Sequence, residues 1–198
     1  MRWNSIAEMI RRSPNRVEFA ERKASFFPSL RPQAHYGLDS LDEMVRHVDR
    51  LIINGYLHLC TSKIQEVNAL VQAHYPGNKL VVATDVFGGI FAISNGDFDG
   101  PDPCIWYYAP DTLQWENLNI DYDRFLQWAF SAALAQFYEP FSWDGMEALL
   151  CAMDESQGVL IYPFLWAKEC DLTTATKQAV PFRELVEQNV AYQTKLYT

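Results

Sequence analysis

Residues Lys79 to Ser94 read KLVVATDVFGGIFAIS, and residues Cys104 to Asn117 read CIWYYAPDTLQWEN. Each stretch is a run of β-branched and aromatic residues bounded by turn formers, the pattern of buried strands. Within the second, Pro110-Asp111-Thr112 supplies the residues of a type I turn or short hairpin, so the flanking strands should be antiparallel neighbours. Strands are expected over 79–83, 86–94, 104–109 and 113–117. Gly88 and Gly89 fall inside the second of these, where interior glycines mark a bulge, a bend or a close backbone approach.

Outward from this centre the period changes. Ser40 and Glu43 have capping-box spacing ahead of Leu41, Met44, Val45, Val48, Leu51 and Ile52, which predicts a helix running to Asn54-Gly55. A short strand over 56–60 and a helix opening at Ser62 come next. Downstream, Asp121 should cap a helix carrying Phe125, Leu126, Trp128, Ala129 and Phe137. A helix over 142–153, an apolar strand-like run over 159–164 and a last helix from Pro181 complete the chain. Before residue 35, Ile6, Met9, Ile10, Val17, Phe19 and Ala20 recur at helical intervals, and Pro28 and Pro32 break the chain beyond them. Helices, then strands, then helices is the α+β pattern. The expected fold is a curved antiparallel sheet of about four to six strands flanked by helices, with residues 1–35 as a helical N-terminal arm and residues 36–198 as a single domain.

Composition narrows the function. Of 198 residues, 49% are hydrophobic and 21% charged, which excludes disordered and collagen-like chains. No stretch approaches the ~18 uncharged apolar residues that cross a bilayer. Glu8, Arg11 and Arg12 interrupt the region a signal peptide would keep apolar, so a cytoplasmic location is expected. Cys60, Cys104, Cys151 and Cys170 form no C-x-x-C and no dense framework, and read as reduced thiols.

Charge is distributed unevenly. Residues 1–80 carry 11 Lys/Arg against 8 Asp/Glu, whereas residues 81–198 carry 5 against 17. Between residues 81 and 167, Arg124 is the only base among 13 acids. Such a segment repels phosphate, which argues against nucleic acid and against an anionic membrane surface, and favours a basic protein partner. Asp97, Asp99, Asp102, Asp111, Glu116, Asp121 and Asp123 are the candidate contacts. Set against this, Asp111 reads equally as a turn residue, Asp121 as a helix cap, and the acids as a whole as a solubilising surface.

No motif for catalysis or metal binding is complete. Ala92-Ile93-Ser94-Asn95-Gly96 imitates a nucleophile elbow, but a loop rather than a helix comes after the serine. Asn95, Asp97, Asp99 and Gly100 imitate the start of a calcium loop whose twelfth position is Trp106 instead of Glu. His35, His47, His58 and His74 lack zinc spacing. No catalytic residue, metal or cofactor is assigned. An alternative is a small-molecule hydrolase with a pocket lined by Trp106, Trp115 and Trp128; a housekeeping scaffold is a third reading.

Several stretches resemble an uncharacterised bacterial family of unknown function: Asp85-Val86-Phe87-Gly88-Gly89-Ile90-Phe91-Ala92, the run Ala109-Pro110-Asp111-Thr112-Leu113-Gln114-Trp115-Glu116, and Tyr122 with Phe125, Leu126 and Trp128. The resemblance continues through Phe137-Tyr138, Trp143 and Tyr162 to Trp166, and covers about residues 50 to 187. The order of strand, Asn-Gly turn, hairpin and aromatic helix also looks like the core of the SUKH superfamily, many of whose members are immunity proteins paired with toxins. That resemblance implies a non-enzymatic inhibitor whose partner is a toxin, often a nuclease. The sequence departs from the pattern at Asp97, where a second glycine is usual after Asn95-Gly96.

Overall fold

The computed structural model describes residues 1–23, 39–59 and 64–197. Pro28, Pro32, His35, Cys60, Ser62 and the 35/36 boundary lie outside the described residues. The strands read from the opening stretches are present as β4 (Leu80–Asp85), β5 (Ile90–Ile93), β6 (Ile105–Ala109) and β7 (Gln114–Asn117). They succeed one another as antiparallel neighbours. Every residue of β5 is buried, as is all of β4 except half-buried Leu80. These strands are covered on both faces, and their nearly continuous apolar sequence results from that.

Three further strands extend the sheet: β1 (Val17–Glu21), β2 (Val48–Ile53) and β3 (Leu57–Leu59). The full order is β1-β2-β3-β4-β5-β6-β7, antiparallel throughout. Two expectations are corrected here. Residues 17–21 form a strand and not a continuation of the N-terminal helix, because Val17 and Phe19 pair with Ile53 and Leu51. The helix expected to run to Asn54 is α2 (Asp39–His47) and stops at His47. Beyond it, Leu51 and Ile53 are paired on both sides, which lets consecutive apolar residues reach opposite faces, whereas a helix would bury one stripe only. The sheet therefore has seven strands, above the expected count. Ser40 is likewise not the cap: it lies within α2 and its hydroxyl donates to the Asp123 carboxylate.

Helices cover both faces. Tyr107 and Tyr108 are consecutive on β6 and so point to opposite sides. On the Tyr107 side lie α4 (Tyr122–Ala129) and α5 (Ala132–Tyr138), joined by α2 and by α1 (Trp3–Arg12), whose Ile6 is fully buried. Asp121 caps α4, accepting from the Arg124 N–H at 2.8 Å. The helix expected to run through Phe137 is interrupted at Ser131, which caps α5 through the Ala133 N–H. On the Tyr108 side, α3 (Ile64–His74) meets α7 (Phe182–Tyr197). A second sheet of β8 (Gln157–Tyr162) and β9 (Thr176–Pro181), with α6 (Met146–Ala152) before it, completes the chain. Val86 links the two sheets: its N–H donates to the Tyr56 carbonyl at 3.0 Å and its carbonyl accepts from Val159 at 2.6 Å.

The glycine pair is not in a strand interior. Val86 to Gly89 form the tight turn between β4 and β5, with Gly88 at φ +90°. Among the described residues no helix is long and apolar enough to cross a membrane.

Candidate functional site

Six of the seven predicted acidic residues fall into two groups beside β7, the last strand of the sheet, and Asp123 lies apart from both. The β5–β6 loop carries Asp97, Asp99 and Asp102, and Leu118 and Ile120 return the chain to the same end by hydrogen bonds with Ile105. Asp121 thus stands near Asp102. Both charges act on the Cys104 thiol and, after the larger effect of burial, push its pKa up. Asp111 and Glu116 form the second group. Thr112 donates to Glu116 at 3.1 Å, and both acids act on Tyr107.

Within the first group, some carboxylates also hold the loop. Asp97 accepts from the Asn78 N–H at 2.6 Å. Asp102 accepts from the Ser94 hydroxyl and from the Gly96 N–H at 2.8 Å. Ser94 is buried and takes the Cys104 N–H at 3.2 Å, so its hydroxyl closes the base of the loop. Asp97 and Asp102 therefore hold different backbone amides, those of Asn78 and Gly96. Asp99, Asp111 and Glu116 are exposed. Asp123 meets Ser40 and the Met1 amino group.

The three tryptophans separate. Trp106 stacks on Phe98 with centroids 4.3 Å apart, and Trp115 packs against Phe98, Tyr75 and Tyr108. The Lys79 ammonium lies 5.6 Å from the Phe98 ring centroid and 5.8 Å from that of Trp115, a cation–π arrangement supplied by the chain itself. Burial lowers the Lys79 pKa, with Asp97 opposing. Trp128 sits on the other face of the sheet among Phe91, Phe125 and Phe137. Trp106 and Trp115 share a wall; Trp128 does not join them.

A buried polar constellation involves Asp85, at the end of β4, whose other residues are apolar except Thr84. Its side chain is 1% exposed. One carboxylate oxygen accepts from the N–H groups of Phe87 at 2.9 Å and Gly89 at 2.8 Å. The other accepts from the hydroxyls of Tyr107 at 3.0 Å and Tyr138 at 2.9 Å. Burial raises the Asp85 pKa, and the four donors pull it back down. The constellation ties the β4–β5 turn to β6 and α5. Its signal in the sequence is an acid inside an apolar strand, with Gly-Gly three residues on.

An open-ended antiparallel sheet with helices on both faces, a buried acid pinning one turn and an acidic edge make this an α+β protein. The chain belongs to the family described as Protein of unknown function DUF2625, whose model matches residues 54–185. That span runs from the β2–β3 turn to the start of α7 and contains Asp85, Tyr107, Tyr138 and the acidic edge. The chain is 38% identical over 116 residues to the putative uncharacterized protein YbfG of Escherichia coli K12, covering 59% of this chain and 52% of YbfG. It is 32% identical over 111 residues to an uncharacterized protein of Haemophilus influenzae, covering 56% of this chain and 46% of that protein. The chain spans about half the length of these curated relatives.

Proposed function

We propose that this protein is a binding protein of the immunity type, which masks a basic surface on a protein partner, such as a toxin that acts on nucleic acid, through the acidic edge beside β7. The observation that carries this reading is the placement of Asp99 and Asp102 with Asp121 beyond the Asn117 end of β7, and of Asp111 and Glu116 on the β6–β7 hairpin, in a segment (residues 81–167) whose one base is Arg124. A surface of one sign accelerates encounter with the opposite sign and disfavours like-charged partners. A nuclease-like groove is basic because it holds phosphate, and carboxylates along an edge offer it a substitute. The resemblance to the SUKH superfamily points the same way.

Carbodiimide coupling tests the contact, since it joins a carboxylate to a lysine amine only where the two touch. A partner captured from the native host at low salt, coupled and digested, should yield cross-links from Asp99, Asp111 or Glu116 to lysines of the partner. Cross-links confined to carboxylates elsewhere on the molecule would overturn the assignment.

A further inference from the structure

Among the described residues β7 ends the sheet, with β6 on one side and no strand on the other. The direction of its backbone groups follows from its neighbour. The Ile105 carbonyl accepts from the Leu118 N–H at 3.0 Å and the Ile105 N–H donates to the Ile120 carbonyl at 2.8 Å, so the backbone of Ile105 is turned toward the β7 side. Alternate residues of a strand face the same neighbour, which makes Tyr107 with Glu116 and Ala109 with Gln114 the hydrogen-bonded pairs of the hairpin. Trp115 and Asn117 lie between and beyond them, opposite Tyr108 and Trp106, and their N–H and C=O groups therefore point away from the sheet. The Asn117 carbonyl takes a long bond of 3.4 Å from the Asn119 side chain. The Trp115 N–H and C=O and the Asn117 N–H have no partner among the described residues.

The side chains of β7 separate by charge. Gln114 and Glu116 are exposed on one face, Trp115 and Asn117 half-buried on the other. On the Trp115 face the Lys79 ammonium already lies 5.8 Å from the indole centroid, so a second cation is disfavoured there and an apolar side chain is favoured. On the other face the Glu116 carboxylate is exposed, with Asp111 on the same hairpin, and a cation placed beside it completes a cross-strand pair. A strand added to this edge is thus selected for alternating basic and apolar residues.

We propose that β7 takes up an extended segment of the basic partner as a further strand, hydrogen-bonded to the backbone of Trp115 and to the Asn117 N–H, with its lysines or arginines beside Glu116 and its apolar residues beside Trp115. The proposal rests on the reading of the β7 edge as the contact surface and adds how the partner is held there. In strand addition the main chain supplies affinity and alternate side chains supply specificity. A second copy of this chain is disfavoured as the occupant, because its own β7 edge would bring Asp111 and Glu116 to the same carboxylates.

The test is an NMR titration of the full chain, read at the backbone amides, with three capped pentapeptides: Lys-Val-Lys-Val-Lys, the same peptide N-methylated at both valines, and Glu-Val-Glu-Val-Glu. The lysine peptide should shift the Trp115 and Asn117 amides saturably, with Kd below about 1 mM. N-methylation removes the N–H groups that would face β7, and both that peptide and the glutamate peptide should bind at least about tenfold more weakly. Glu116→Gln should weaken the lysine peptide about threefold without changing the melting temperature. Unmoved Trp115 and Asn117 amides overturn the strand addition, and so does equal binding of the N-methylated peptide. Equal binding of the glutamate peptide, or unchanged binding by Glu116→Gln, overturns the assignment of a basic segment. Partner cross-links at Asp99, Asp111 or Glu116 alongside unmoved amides would mark a failure of this mode of holding and not of the acidic contact itself.

Discussion

Asp85 gathers four side-chain hydrogen bonds inside the core. Tyr107→Phe and Tyr138→Phe each remove one donor from a buried carboxylate, a bond type worth about 1.5–3 kcal/mol. Each single variant should remain folded with a lowered melting temperature, and the double variant should depart from additivity because the two hydroxyls share one oxygen. The titration of Asp85 gives a second prediction. Burial raises its pKa above the ordinary 3.8, so the native state keeps the proton to higher pH than the unfolded chain. The stability linked to that proton is complete below the unfolded value and is lost as pH rises through the native one. Asp85→Asn removes the titration. Denaturant unfolding at a series of pH values should show the wild type losing stability relative to Asp85→Asn as pH climbs above about 4. Parallel curves would place the pKa of Asp85 at its unfolded value and refute the assignment.

At the scale of elements, the turn between β4 and β5 makes the sharpest prediction. A Cβ on Gly89 would stand 2.1 Å from an Asp85 carboxylate oxygen and 2.7 Å from the Tyr107 ring. Gly89→Ala must displace the acid or the turn and should unfold the protein or lower its melting temperature severely. Gly96, at φ +75°, meets nothing within 4 Å, so Gly96→Ala should cost only the left-handed backbone penalty of about 1–2 kcal/mol. Thermal melts of the two variants side by side check the contrast. Asp121→Ala should cost about 1 kcal/mol through loss of the α4 cap, and Asp121→Asn much less.

The same elements show what sequence can reveal. The strands β5 and β6 are legible because a buried strand is written as a run of apolar and aromatic residues, β7 because the turn residues Pro110-Asp111-Thr112 set it beside β6, and the cap at Asp121 because a cap is a local residue type. The strands β1 and β2 are not, since Val17, Phe19, Leu51 and Ile52 satisfy helical spacing as well as strand spacing, and only pairing across more than thirty residues decides. Gly88-Gly89 looks like strand interior because its flanks are apolar, while the hydrogen bonds that make it a turn come from Asp85. The acidic residues are all visible, but their division into two groups results from the return of the chain at Leu118 and Ile120. The two pockets beside His58 draw on α6 and on α3 with the β8–β9 sheet respectively, and no local pattern encodes that convergence.

For the whole molecule, the question that decides its role is whether the β7 edge meets a basic partner. The carboxylates of Asp97 and Asp102 hold the β5–β6 loop, so replacing them would confound binding with stability. Asp99, Asp111 and Glu116 are exposed, and exposed charges contribute little to folding. The variant Asp99→Asn, Asp111→Asn, Glu116→Gln therefore separates the two effects. The decisive measurement is the association rate of a captured partner with wild type and with this variant across a series of salt concentrations. Contact through the β7 edge predicts a slower association and a shallower salt dependence for the variant, with dissociation and melting temperature nearly unchanged, because rim charges act mainly on encounter. An unaltered association rate and salt slope would contradict it and return the acidic excess to the role of keeping an aromatic-rich protein dissolved.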